Sequence, residues 1–166
     1  MIEFKEFQQS GYRARTMENA SADVTIAIAK DFYTAGEILT KNSVIKQNKR
    51  YIPINYFQAI SSLQFIGISF EGKSLNVAGN GIYTLKQPQE MVDSIIYDVL
   101  KFIFECTKSR PTLIRSGGQT GIDEAGLKAA VKLGIPALCL APKGWVFRDI
   151  NHKDIADEKL FKQRFV

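Results

Sequence analysis

Apolar residues along this chain follow two rhythms. Three short runs are apolar at nearly every position: Asp23-Val-Thr-Ile-Ala-Ile-Ala29, Ser74-Leu-Asn-Val-Ala78 and Ala137-Leu-Cys-Leu140. Such runs are the mark of strands buried on both faces. Arg50-Tyr-Ile-Pro-Ile-Asn55 reads as a further strand, and Pro53 places it at a sheet edge, where a missing N–H costs no ladder bond. A short apolar stretch, Pro111-Thr-Leu-Ile-Arg115, adds another. Between these runs the period lengthens to that of a helix. Tyr33 to about Gln47 is one helix, with Thr34 as N-cap and Glu37 at capping-box spacing. Pro88 to Lys108 is a long amphipathic one, with Met91, Ile95, Val99, Phe102 and Ile103 on one side. Ala125 to Leu133 is a third, rich in small residues. Residues 56–73 read as a connection holding a short helix (Phe57–Leu63) and an extra strand (Phe65–Phe70). Asp154 to Phe165 reads as a charged tail helix packed on Leu160 and Phe161. Repeated strand–helix–strand units with buried strands predict an α/β fold, an open parallel sheet covered by helices.

Composition narrows the class. With 166 residues, 45% of them hydrophobic, the chain suits one compact domain with a real core. No apolar run approaches a membrane span, and the acid-bearing start Met1-Ile-Glu-Phe-Lys-Glu6 has no secretory core, so a cytoplasmic protein is expected. Cys106 and Cys139 lie far apart in apolar surroundings and read as buried free thiols. The net charge of +5 is spread along the chain without a dense basic run. A phosphorylated small molecule is therefore the expected partner rather than nucleic acid.

Ser116-Gly117-Gly118-Gln119-Thr120-Gly121 carries the chemistry, with Asp123 just beyond it. It stands between a strand and a helix, where unpaired backbone N–H groups and a positive dipole end can bind an anion. It lacks the Gly-Lys-Ser/Thr ending of a P-loop and the spacing of a dinucleotide fingerprint. The competing reading is a tight turn for close helix–strand packing. Asp123 repels phosphate and suits ribose hydroxyls or a loop cap. Gly79-Asn80-Gly81 ends another strand and is expected to face the first loop across a crevice. Lys143 is placed to grip a phosphate and Arg148 less so; Trp145 either stacks on a base or packs under the tail. His152, the one histidine, has no partner at metal-ligand spacing, so no metal and no cofactor are expected.

The string Ile114-Arg-Ser-Gly-Gly-Gln-Thr-Gly-Ile-Asp-Glu-Ala-Gly126, with Leu133-Gly-Ile-Pro136 and Ala141-Pro-Lys-Gly-Trp145, resembles the molybdenum-carrier family. That family belongs to the SLOG branch of Rossmann-like proteins, beside the cytokinin-activating phosphoribohydrolases and the DNA-processing protein DprA. Tyr12-Arg-Ala-Arg-Thr-Met-Glu-Asn19 and Ala22-Asp-Val-Thr-Ile26 resemble a segment that the family carries after its Pro-Lys-Gly loop. The resemblance thus implies a circularly permuted SLOG-like domain over 1–166: residues 12–55 as the permuted second half, 56–73 as the connection, 74–145 as the first half and 146–166 as a tail. The two matches cover about two thirds of the chain. Nothing in the residues supports molybdenum itself.

The resemblance implies a crevice at the strand ends that binds a nucleotide or an ADP-ribose-like signal without catalysis. The residues expected there are Gly79, Asn80, Ser116–Gly121, Asp123, Thr34, Lys143 and Trp145. Sequestration of a messenger, as by a phage counter-defence protein, is the expected use. The alternative is a nucleoside 5′-monophosphate phosphoribohydrolase. Thr34-x-x-Glu37 and Arg15 would then imitate the relatives' Thr, Glu and Arg, with Glu37 as acid/base and Arg15 as phosphate or transition-state partner. The loop Asp31-Phe-Tyr-Thr-Ala-Gly-Glu37 keeps one glycine of the family's Gly-Gly pair, and Glu37 can equally serve the capping box. Relatives pair through helices that flank the sheet, and the apolar face of 91–104 is expected to make a homodimer or larger homo-oligomer.

Overall fold

The structure is a computed structural model that describes residues 1–166. Its centre is a six-stranded, all-parallel open sheet of Rossmann-like form. The strands are β1 (Ile2–Glu6), β2 (Val24–Ala29), β3 (Arg50–Asn55), β4 (Ser74–Gly79), β5 (Leu113–Ser116) and β6 (Ala137–Ala141), in the spatial order β1-β6-β5-β4-β2-β3. Every residue of β2 is buried, as its unbroken apolar run requires. Pro53 sits in the edge strand β3, as expected. A second edge was not legible: β1 alternates half-buried Ile2 and Phe4 with exposed Glu3 and Lys5 against β6.

Helices α1 (Tyr12–Asn19), α2 (Ala35–Lys46), α4 (Gln89–Thr107), α5 (Ile122–Lys132) and α6 (Glu158–Gln163) accompany the strands, with a single turn, α3 (Ile82–Leu85), after β4. α4 packs on α5, and α1 packs on α2. Right-handed crossovers place these two pairs on opposite faces of the sheet. α4 seats Val92, Ile96, Leu100, Ile103 and Phe104 in the core, each fully buried aliphatic side chain contributing about 2 kcal/mol over exposure. This corrects the expected face: Met91 is exposed, and Ile95, Val99 and Phe102 flank the buried stripe. The buried stripe packs inside the fold, against α5 and the turn at residues 62–65. No helix is long and apolar enough to cross a membrane.

Three other expectations change. Residues 56–73 hold neither the helix nor the strand. They form a 3-10 turn at Ser62–Phe65 and an irregular plug in which Phe65, Ile68 and Phe70 are buried, Phe70 edge-on to Phe104. Their apolar residues serve packing against α4 rather than a ladder. Cys139 is buried, whereas Cys106 is exposed near the end of α4. The tail begins with β8 (Asp154–Ala156), antiparallel to β7 (Val146–Arg148), before α6; Phe161 is fully buried and Leu160 is exposed.

The two faces of the sheet differ in chemistry. Ile26, Leu75, Val77 and Ile114 belong to the apolar core, while Thr25, Asn76 and Arg115 form a polar row in register across β2, β4 and β5. Asn76 Nδ2 donates to Thr25 Oγ1 at 3.2 Å. Arg115 donates to Glu18 at 3.2 Å, beside α1. Polar floor and polar helix meet there, and that meeting shapes the site.

Candidate functional site

From β4 the chain winds through β5 to β6 in one direction, while β2 leads to β3 in the other. Where strand order reverses, loops at the carboxyl ends diverge and leave a crevice. A cleft of about 840 Å³ occupies this position. Its walls come from the start of α1, the loop before α2, the end of β4, the glycine run and the segment after β6.

The glycine run divides into residues that face the cleft and residues that hold the loop. Gly117, Gln119 and Asp123 line the cleft. Ser116 Oγ is buried and donates to the Val77 carbonyl at 2.6 Å. Gly118 adopts φ +69°, and a side chain on it would run into Cys139 Sγ and the Phe161 ring. Thr120 Oγ1 donates to the Arg148 carbonyl. Gly121, at φ +98°, lets this loop meet the other glycine loop closely: Ile122 N–H donates to the Asn80 carbonyl and Ile82 N–H to the Thr120 carbonyl, each at 3.2 Å. The two loops therefore face each other. Asn80 also fastens the β2 loop, accepting from Lys30 N–H and Asp31 N–H and donating to the Asp31 carbonyl.

Asp123 decides what the glycine run can hold. The backbone N–H groups of Gln119, Gly117 and Gly79 face its carboxylate, and Arg15 stands nearby. Burial nevertheless pushes its pKa up to about 6, outweighing these favourable contacts. A carboxylate of the chain itself thus lies beside Gly117 in the loop expected to cradle a phosphate. Arg15 Nη1 donates to the Gly117 carbonyl at 2.6 Å and to the Leu140 carbonyl at 3.3 Å, and burial lowers its proton affinity while Asp123 offsets the effect.

Glu37 is 4% exposed and lines the same cleft. Thr34 caps α2, its Oγ1 accepting from Glu37 N–H at 3.3 Å. The Glu37 side chain does not complete the capping box: its Oε2 is buried without a hydrogen-bond partner. Burial, and then the charges of Asp123 and Asp31, push Glu37 up to about 8. At neutral pH the cleft therefore holds a protonated Glu37 beside an ionised Asp123.

Lys143 lines the cleft, while Trp145 turns under the tail, its ring edge-on to Phe161 and Lys162 Nζ 4.6 Å from its centroid. Arg148 lies at the rim, paired with Asp154 at 2.7 Å. His152 packs on Tyr83, 4.8 Å between ring centroids. No three His, Cys, Asp or Glu side chains cluster as a metal site. Several lining residues escaped the sequence reading: Tyr12, Thr16, Asn19, Thr40, Asn76 and Tyr83. A signal for some was present. Tyr12, Arg15, Thr16 and Asn19 recur at helical spacing, so reading 12–19 as a helix puts them on one face. Asn19 is 6% exposed, and its Oδ1 has no partner. Compared with protein-family models, curated proteins and solved structures, the chain shows no match to any of them.

Proposed function

We propose that the cleft binds a nucleotide-derived ligand of ADP-ribose type and sequesters it, with ribose hydroxyls on the Glu37–Asp123 pair. The observation that carries this reading is the placement of two carboxyls, Glu37 and Asp123, in the lining of one cleft, where burial raises the pKa of both and that of Glu37 further. Together they offer a donor and an acceptor to a vicinal diol. Strand order supports it as well. Counted from β4 through β5 and β6 to β2 and β3, with the edge strand β1 set aside, five of the six strands run 3-2-1-4-5, a nucleotide-binding order whose ligand crevice lies at the reversal.

The separated proton affinities favour a second reading, hydrolysis of an N-glycosidic bond. Glu37 would give its proton to the departing base as the C1′–N bond breaks. Asp123 would stabilise the developing positive charge and take a proton from the water that adds to C1′. Arg15, held on backbone carbonyls, would keep Asp123 ionised.

One experiment tests both. The protein is incubated with AMP, ADP-ribose and cyclic ADP-ribose isomers, separated from unbound ligand and denatured, and the released material is chromatographed. Intact ligand supports sequestration. Free base produced by the wild type but not by Glu37→Gln supports hydrolysis. Retention of no ligand and release of no base would sink both readings.

A further inference from the structure

The polar row of the sheet lies open toward the cleft. Beyond Thr25 and Asn76, the next positions on the same face are Ala27 and Ala78, which pair in register, and Gly79 follows. Residues this small leave a hollow above Asn76, and Asn76, Ala78 and Gly79 all line the cleft. The end of α1 covers the row from the other side. Arg115, beside Asn76 in register, donates to Glu18 at 3.2 Å and to Ser21 at 3.4 Å. Asn19 stands between those two contacts in the chain and lines the cleft as well.

Two buried carboxamides therefore meet the cleft from sheet and helix. Asn76 is 2% exposed; its Nδ2 is given to Thr25 Oγ1, and its Oδ1 has no partner within the protein. Asn19 is 6% exposed, and its side chain makes no hydrogen bond. Its Oδ1 is closed off, which leaves Nδ2 as the open atom. In cleft-lining side chains buried this deeply, an open polar atom opens on the cleft. The lining thus presents one unpaired donor, Asn19 Nδ2, and one unpaired acceptor, Asn76 Oδ1. Buried amides are ordinarily bonded, so two left free in one lining point to a polar ligand.

The chemistry of that ligand is constrained. Neither carboxamide carries charge, and Glu37 and Asp123 in the same lining disfavour an anion. A donor and an acceptor together suit a planar edge that offers an acceptor beside a donor. Adenine has such an edge, its 6-amino group next to a ring nitrogen. Trp145, the residue expected to meet a base, is engaged under the tail.

We propose that Asn19 and Asn76 form a nucleobase subsite that reads the 6-amino edge of adenine. Asn76 Oδ1 accepts from the amino group, and Asn19 Nδ2 donates to the neighbouring ring nitrogen. The proposal rests on the nucleotide-derived ligand reading given above and adds to it the residues that select the base. The ribose hydroxyls stay with Glu37 and Asp123.

The test is calorimetric titration with adenosine, with purine riboside, which lacks the 6-amino group, and with ADP-ribose. The wild type should bind adenosine about tenfold more tightly than purine riboside. Asn76→Leu, close in volume, should reduce this preference to about twofold or less. Thr25→Val breaks the same internal hydrogen bond but keeps the carboxamide, so the preference should survive. Asn19→Leu should weaken both nucleosides about tenfold, since both carry the ring nitrogen. The subsite is overturned if the wild type binds neither nucleoside or binds the two equally. It is overturned equally if Asn76→Leu keeps the preference, if Thr25→Val loses it as fully, or if Asn19→Leu binds as the wild type does. ADP-ribose separates the two readings. Its retention without a preference for adenosine leaves sequestration standing and removes the subsite; a preference that Asn76→Leu abolishes, without retention of ADP-ribose, does the reverse.

Discussion

Arg164 holds Gly118: its Nη2 donates to the Gly118 carbonyl at 2.7 Å. Nη1 of the same guanidinium donates to Glu124, and the group lies 4.2 and 4.4 Å from the ring centroids of Phe147 and Phe161. The end of the chain therefore grips the glycine run on the side away from the cleft. Glu124 is 2% exposed and also accepts from Lys128 at 2.6 Å.

Replacing Arg164 with Met should cost about 3 kcal/mol, since it strips one partner from a buried carboxylate and frees a buried carbonyl. Urea denaturation measures this. A loss below about 1 kcal/mol would show that the grip is incidental.

Stability should fall as pH rises from about 4 to about 8. Glu37 and Asp123 hold their protons more tightly in the fold than in the unfolded chain, with pKa values pushed up to about 8 and about 6 from 4.5 and 3.8. Between those values the native state binds more protons, so rising pH favours unfolding. The Glu37 share is on the order of 4 kcal/mol by pH 9. Glu37→Gln should flatten the profile between pH 6.5 and 8.5, whereas Asp123→Asn should flatten only its acidic part. A wild-type profile already level from pH 6 to 8 contradicts the assignment.

Gly118→Val should abolish cooperative folding or lower the melting temperature by more than 10 °C, because φ is +69° and the new side chain meets Cys139 and Phe161. Loss of ligand binding in such a variant would follow from loss of structure. Near-UV circular dichroism like that of the wild type would refute this.

Thr34→Ala should cost about 1 kcal/mol by removing the cap of α2. Thr34→Ser should restore most of it, as read from thermal midpoints. Failure of serine to rescue would mean that the methyl group, not the hydroxyl, matters.

Strands β2, β4 and β6 were legible because strands buried on both faces admit few polar residues. The glycine loops were legible as loops, since only glycine suits the positive φ of 118 and 121. α1 was not legible as a helix. Its buried face carries Arg15 and Asn19, which serve the cleft and give no apolar stripe to recognise. β1 escaped because an edge strand needs only alternate apolar residues. Residues 56–73 misled in the opposite sense: Phe65, Ile68 and Phe70 are apolar enough for a strand yet plug the core without one. At the site, the sequence places Asp123 beside the glycine run but does not reveal that the carboxylate folds back onto it. Nor does the role of Arg164 follow from its position in the tail.

Because Ser116, Gln119 and Thr120 donate to the Val77, Val146 and Arg148 carbonyls and the Gly118 carbonyl accepts from Arg164, the glycine loop is ordered by the chain's own contacts. These internal bonds give the loop its shape during folding rather than on encounter with a ligand. Association then carries little ordering entropy at this wall of the cleft, and the empty protein presents it in a form ready for recognition.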